Sequence, residues 1–489
     1  MTLYKRLTAT SRRHAPFLVV LAVGLGLRVV TQLAYWPALL FEDSYHYLAN
    51  SYFLDPGAPR PVGYSVFLRA LLYVPDLAVV PIVQHLMGLA MGVLTYTVLL
   101  RFGVRRWLAT LAAIPILWDA YELQIEQMVM SDTLFDLLLL GGLTVLAWRR
   151  APASGRAAVA GLVLGLAVPV RLVGQILVLP AVLVTLAKAP GWRRRVGHAA
   201  LLLVTFVAPV VGYAAWYHHG YGTWGLSDMG GRVRYARVAG FVDCSAISFP
   251  SYERPLCPGK PPAKRLVTNA FVWSPESPAR VYTAPPGMGK DAILKDFARR
   301  VMLQQPLDYL GVVGRDFLKG FAPRRRGYPG DVPVSFWQFQ THYRTYRHDT
   351  AAVVDAYGGE GPYVNKPLAS FLRAYQLHGG YTSGAVLGFA LLAGLAGTVG
   401  LGRARRSGVN AACFLYTVTA VGLLLAAATY EFSWRYQLPG VTLLPVAGAL
   451  GLAALLEHGR HAPGNEQPRT RPRQRAPAVL ARTSRHIGQ

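Results

Sequence analysis

Apolar windows of 15 to 24 residues recur along the whole of this 489-residue chain, and they limit its fold more than any other feature. A helix of about 20 apolar residues spans the roughly 30 Å hydrocarbon core of a bilayer, with its backbone polar groups satisfied internally. Ten windows fit, at 16–34, 78–100, 107–121, 128–148, 157–171, 174–188, 199–217, 381–402, 409–430 and 437–456. The third, fifth and sixth are short, and the fifth and sixth also fit one re-entrant hairpin. Composition agrees: 53% of residues are apolar, mean hydropathy is +0.30 and only 15% are charged, well below the quarter usual in soluble domains. The first segment has no small-residue cleavage site before Arg28 and Trp36, so it reads as a span and not as a signal peptide. The expected fold class is an all-α polytopic membrane protein with about ten transmembrane helices.

Basic residues collect in every second loop. The clusters are Lys5, Arg6, Arg12 and Arg13; Arg101, Arg105 and Arg106; Arg149, Arg150 and Arg156; Lys188 and Arg193 to Arg195; and Arg403, Arg405 and Arg406. Cytoplasmic loops carry this excess, so the expected placement is multi-pass in the plasma (inner) membrane with both termini cytoplasmic. The net charge of +26 would point to nucleic acid in a soluble protein. Here 24 of the 50 basic residues lie in those loops and the tail, where topology and anionic lipids of the bilayer account for them, and no nucleic acid partner is expected.

Four regions follow. Residues 1–217 form an N-terminal transmembrane core of seven spans with an external first loop, 35–77. Residues 218–380 contain no apolar run long enough to cross and read as an extracytoplasmic mixed domain inserted between spans 7 and 8. Residues 381–457 carry spans 8 to 10, and 458–489 read as a disordered basic cytoplasmic tail. The inserted region holds 21 Lys and Arg against 12 Asp and Glu, which fits an anionic ligand or a solvated basic surface equally. Its Cys244 and Cys257 are expected to form a disulfide in an oxidising compartment, while Cys413 lies inside a span as a core residue. Segments 291–304 and 306–321 read as amphipathic helices broken by Pro306 and lying along the membrane interface. Phe336, Trp337, Phe339, Tyr343 and Tyr346 form an aromatic cluster that can stack on sugar rings or, as is commoner, anchor at headgroup level.

The candidate chemistry centres on Glu42 and Asp43, an acidic pair just after the first span. Either carboxylate can act as a general base towards an acceptor hydroxyl; alternatively Asp43 caps a helix running from Ser44 to Phe53. The topology brings Arg60, Arg171 and Arg435 to the same side, and three arginines can bind a phosphate ester by charge-assisted hydrogen bonds. Each can also snorkel to lipid headgroups, least easily Arg171, because intramembrane charges are costly unless paired or functional. Glu122 and Glu126 lie one turn apart, Ser131-Asp132 opens the fourth span, and His85 ends the second, so they too can line a cavity there. Pro285-Pro286-Gly287-Met288-Gly289-Lys290 lacks the spacing and the hydroxyl of a phosphate loop and is set aside.

Four short motifs, in order and on one side, resemble the GT-C superfamily of polytopic glycosyltransferases, in particular the protein O-mannosyltransferase and aminoarabinose transferase type. They are Glu42-Asp43; Arg60-Pro61-Val62-Gly63-Tyr64; Met130-Ser131-Asp132-Thr133-Leu134-Phe135; and Arg435-Tyr436-Gln437-Leu438-Pro439. The resemblance implies a polyprenyl-phosphate-linked sugar donor, an extracytoplasmic glycan, lipid or protein acceptor, and inversion at the anomeric carbon. It makes Asp43 the base assisted by Glu42, with Arg171 and Arg435 on the departing phosphate. Arg60, Tyr64, His85, Glu126, Asp132 and Tyr436 complete the substrate-binding set. A divalent cation at Glu42 and Asp43 is possible, but two carboxylates give few ligands for one. The competing class is a transporter or flippase of a lipid-linked anion, against which stand the lack of an internal repeat and the gathering of polar groups at one face.

Overall fold

The structure is a computed structural model, and it describes residues 2–456 apart from 58, 149–153, 190, 345–349, 359–360 and 407. Tyr346, Arg149, Arg150 and the 458–489 tail therefore lie outside the described residues. All ten apolar windows fall on helices. The first half holds α1 (Thr2–Ala34), α2 (Glu42–Phe53), α3 (Gly63–Leu71), α4 (Val79–Arg101), α5 (Arg106–Trp118), α6 (Ala120–Gln127) and α7 (Asp132–Ala147). Next come α8 (Ser154–Val170), α9 (Val178–Lys188) and the long α10 (Trp192–Tyr221). After an intervening region, α18 (Gly384–Val399), α19 (Asn410–Ala428) and α20 (Leu438–Leu456) complete the bundle.

Five helical segments, 12–34, 79–101, 192–221, 410–428 and 434–456, are long and apolar enough to cross a membrane. The other apolar helices are shorter, for identifiable reasons. Asp119 takes an extended conformation after α5 and accepts a hydrogen bond from the Tyr121 amide, which starts α6 as a separate helix. Met128 is extended again, so α7 begins only at Asp132 and places that carboxylate in its first turn. Close packing needs small residues. Cβ atoms at Gly161 and Gly165 of α8 would collide with the Leu202 and Phe206 carbonyls of α10, so glycine is what lets these two helices meet.

The 218–380 region alternates short helices with long irregular segments among its described residues. It comprises α11 (Gly230–Ala239), α12 (Thr268–Trp273), α13 (Pro278–Val281), α14 (Lys290–Gln304), α15 (Pro306–Lys319), α16 (Thr350–Ala356) and α17 (Lys366–Leu377), with 3-10 turns between. Its strand β2 (Tyr363–Val364) is two residues long and pairs antiparallel with β1 (Tyr35–Trp36). A small core of Tyr235, Val238, Leu256, Phe271, Phe297 and Val301 fills the α11–α14 part. The helix pair broken at Pro306 is present as read from the sequence. Cys244 and Cys257 are bonded, with Cα atoms 6.2 Å apart, and Cys413 is buried and free.

This region is tied to the bundle by charge. Arg237 pairs with Asp316 at 2.7 Å and donates to the Ala428 carbonyl at the end of α19 at 2.7 Å. Arg325 pairs with Asp119 at 3.1 Å, both nearly inaccessible. Trp337 and Phe339 are 3% and 0% exposed and pack on the 35–41 segment, with Phe339 stacked on Tyr35 and Trp337 against Phe41. Headgroup anchoring is thus overturned for these two rings, because the 35–41 rings and Gln376, which accepts from the Phe339 amide at 2.8 Å and donates to the Trp337 carbonyl at 3.1 Å, hold their segment inside the protein.

Candidate active site

Five charged side chains from five separate segments form one continuous ladder. Asp43 sits in the first turn of α2, where its Oδ1 accepts from Arg60 Nε at 3.0 Å and Nη2 at 2.5 Å. Its Oδ2 accepts from Arg435 Nη1 at 2.8 Å. Arg435, in the 3-10 turn before α20, turns its other edge to Asp132, with Nε 3.0 Å from both carboxylate oxygens and Nη2 2.8 Å from Oδ2. Arg171, in an extended residue after α8, closes the row on Asp132 Oδ1. The order is Arg60–Asp43–Arg435–Asp132–Arg171.

The helical N-cap role for Asp43 is overturned. Phe41 holds the cap position, Ser44 supplies the hydroxyl to the Phe41 amide at 2.9 Å, and Asp43 lies inside the helix with both oxygens committed to arginine. Asp43, Asp132 and Arg435 are 5%, 5% and 7% exposed, while Arg60 and Arg171 keep 29% and 19% of their side chains accessible. The ladder therefore has a buried centre and two reachable ends. Burial alone raises the Asp43 carboxyl; the guanidinium groups of Arg60 and Arg435 outweigh it and hold it below the usual carboxylate range.

Aromatic rings enclose the row. Arg171 lies 5.9 Å from the Tyr436 ring centre and 6.0 Å from that of Phe135. Arg435 lies 5.5 Å from Trp337, and Arg60 5.3 Å from Trp273. Tyr47 shares a 2.9 Å hydrogen bond with Ser131, next to Asp132, and meets Tyr64 edge-on at 4.9 Å. Tyr64 itself donates to Gln84 at 2.7 Å and supports the site from behind. Glu42 is half-buried beside Asp43, and among the described residues no hydrogen bond or ion pair reaches its carboxylate.

His85 and Glu126 do not join the ladder, contrary to the sequence reading. Glu126 is inaccessible and bridges Arg28 (2.6 Å) and His85 (2.8 Å), whose other ring nitrogen meets Gln127 at 2.9 Å. Arg28 also donates to the Gly24, Ile116 and Leu117 carbonyls. The cause is the break between helices: α6 ends at Gln127 and four residues, the first of them extended, separate it from Asp132, so Glu126 and Asp132 face different neighbours. Gln84 links the two clusters, donating to the Glu126 and Met128 carbonyls at 2.7 and 2.6 Å. Arg28 was the residue that the site reading missed, and its signal was plain: an arginine in the middle of an apolar span needs a partner.

The ladder does not fit a metal ion. Each oxygen of Asp43 and Asp132 already faces a guanidinium, and among the described residues no group of three or more His, Cys, Asp or Glu is placed to hold a cation. What the arrangement offers is anion binding: three fixed positive charges against two negative, in a largely desolvated setting.

No protein-family model and no curated protein matches the chain. Among solved structures, the S. cerevisiae protein O-mannosyltransferase complex bound to its sugar donor aligns over 52% of this chain and 38% of its own, at 15% identity and a TM-score of 0.34. ArnT from Cupriavidus metallidurans, bound to undecaprenyl phosphate, aligns over 90% and 77%, at 15% identity and a TM-score of 0.35. The Archaeoglobus fulgidus oligosaccharyltransferase tethered to an acceptor peptide aligns over 89% and 49%, at 12% identity and a TM-score of 0.41. The chain thus spans less than half the length of the first and third. Likenesses this distant assign it to no family.

Proposed function

We propose that this protein is a membrane glycosyltransferase of the GT-C type, which moves a sugar from a polyprenyl-phosphate donor to an extracytoplasmic acceptor with inversion. The observation that carries the reading is the ladder. Asp43, Arg60, Asp132, Arg171 and Arg435 were each singled out by motif or by side of the membrane, and they meet within hydrogen-bond distance. A phosphate ester leaving an anomeric carbon needs fixed positive charge where its own charge develops, and a nucleophilic hydroxyl needs a carboxylate base.

The chemistry balances on these residues. The acceptor oxygen forms a bond to the anomeric carbon from one face while the carbon–oxygen bond to the lipid phosphate breaks on the other. Asp43 takes the acceptor proton, and the phosphate leaves with the bonding electron pair towards Arg171 and Arg435. In the ladder as it stands Asp43 is a weak base, because three N–H groups hold its charge. A donor phosphate that competes for Arg435 loosens its bond to Asp43 and raises the basicity of Asp43 as the substrate arrives. The same reading includes ten spans, an external 218–380 region whose disulfide suits an oxidising compartment, and an inner-membrane location with cytoplasmic termini.

The test uses purified protein in lipid nanodiscs with a panel of polyprenyl-phosphate sugars and candidate acceptors. Transfer by the wild type, with loss of about two to four orders of magnitude in Asp43→Asn, is the expected result. Asp43→Asn turnover at the wild-type rate removes Asp43 as the base. No transfer by the wild type from any donor removes the enzyme reading.

A further inference from the structure

We propose that Trp273, Asn269 and Glu431 form a subsite for a sugar ring of the acceptor, so that the acceptor is a carbohydrate. The inference rests on the transferase reading above and adds what that reading leaves open.

The three residues come from two distant segments. Asn269 and Trp273 are four residues apart in α12 and share one face of it. Trp273 lies 5.3 Å from the Arg60 guanidinium, and Arg60 holds Asp43. Asn269 Nδ2 stands 3.5 Å from Glu431 Oε1, on the loop between α19 and the turn that carries Arg435. An indole, a carboxamide and a carboxylate thus lie in succession from the arginine that holds the proposed base.

Glu431 is the informative member. It is 6% exposed, yet among the described residues no lysine or arginine is ion-paired with it. Burial pushes its carboxyl up to about 7, Asp331 adds to this, and hydrogen bonds from Asn269 and Tyr430 together with Arg237 oppose it. A buried acid without a cation costs stability, and such groups concentrate where a site needs them. Its hydrogen bonds come from neutral groups, Asn269 and Tyr430, and the Asn269 contact is at the outer limit of a hydrogen bond.

Sugars suit this set. Adjacent hydroxyls of a ring can donate to a carboxylate and accept from an amide at once, while the C–H face of the ring lies on an indole. The position assigns the ring to the acceptor. In an inverting displacement the nucleophile and the leaving phosphate lie on opposite faces of the anomeric carbon. Phosphate is assigned to the Arg435–Arg171 end of the ladder, and Trp273 stands at the Arg60 end.

The experiment measures saturation-transfer NMR on nanodisc-embedded protein with three probes, methyl α-mannopyranoside, methyl α-glucopyranoside and methyl α-arabinofuranoside. Binding of undecaprenyl phosphate is titrated in parallel. The wild type should transfer saturation to at least one glycoside. Trp273→Ala and Glu431→Gln should each weaken that glycoside about tenfold, and Trp273→Phe should retain most of it. Undecaprenyl phosphate affinity should stay within about twofold in Glu431→Gln and Trp273→Phe, which also shows that these variants fold. Equal saturation in the wild type and both weakening variants, or none in the wild type, overturns the subsite. Glycoside binding without undecaprenyl phosphate binding leaves the subsite standing and overturns the donor reading instead.

Discussion

The ladder makes a quantitative prediction at its centre, the contact of Arg435 with Asp132. Arg435 presents three contacts of 3.0, 3.0 and 2.8 Å to that carboxylate and one of 2.8 Å to Asp43, with both partners almost inaccessible. Breaking a buried pair by removing one partner costs about 3 to 5 kcal/mol, mostly because the remaining charge is left unpaired. Neither residue is left wholly alone here: Asp132 keeps Arg171, and Arg435 keeps Asp43. Arg435→Gln and Asp132→Asn should therefore each cost about 3 kcal/mol, the low end of that range. The double variant strands neither charge of the pair and should cost about 2 kcal/mol less than the sum. The assay is equilibrium unfolding of the detergent-solubilised protein by SDS titration for the wild type, both singles and the double. A coupling energy below about 0.5 kcal/mol would mean that the contacts do not carry the cluster, and the anion-binding argument would fall with them.

Asp43→Asn raises the ladder from one net positive charge to two. A unit charge about 8 Å from a bound phosphate is worth roughly 2 kcal/mol at an effective dielectric near 20, so undecaprenyl phosphate should bind up to about thirtyfold more tightly while transfer is lost; weaker binding, by titration in nanodiscs, would refute the phosphate assignment. Glu431, with its carboxyl raised from 4.5 to about 7, holds a proton in the folded state that the unfolded chain has released between those values. Its contribution is fully present below pH 4.5 and is lost as pH rises through 7, by about 3 kcal/mol. Thermal unfolding scans should show the melting temperature of the wild type falling between pH 5 and 8 by more than that of Glu431→Gln. At Gly88 a Cβ would collide with the Glu126 carboxylate and the Arg28 guanidinium. Gly88→Ala should lower stability by about 1 to 3 kcal/mol in the same SDS titration, and a neutral result would place the Arg28–Glu126 pair elsewhere.

The helical order was legible because hydrocarbon thickness sets a length and apolar runs report it. All ten windows fall on helices, and Pro306 separates two of the others as its missing N–H requires. The lengths were less legible. Asp119 breaks what hydropathy merges in the 107–121 window, since a window average does not register one extended residue. The character of 218–380 was not legible either: its helices α12 and α13 are six and four residues long, too short to show a period.

The site shows why sidedness is so strong a constraint in a polytopic chain. Asp43 and Arg435 are 392 residues apart and meet at 2.8 Å, and no periodicity connects positions so distant. Alternation of basic loops reduces the problem from three dimensions to two surfaces, and a surface with only a few unmatched charges leaves few pairings. It does not report depth or helix phase. Glu126 and Asp132 are six residues apart, yet one is sealed against Arg28 and the other faces Arg435. The intramembrane arginine separates them: Arg28 lies within an apolar span, must find a carboxylate, and takes the one that its helix can reach. Matching Arg28 to Glu126 before assigning any acid to catalysis removes Glu126 from the candidates, while Asp43 and Asp132 share the arginines of the ladder. It also leaves Glu122, Asp136 and Glu431 as buried acids with no ion pair among the described residues, and of these Glu431 lies on the loop next to the turn that carries Arg435, where the proposed sugar subsite lies.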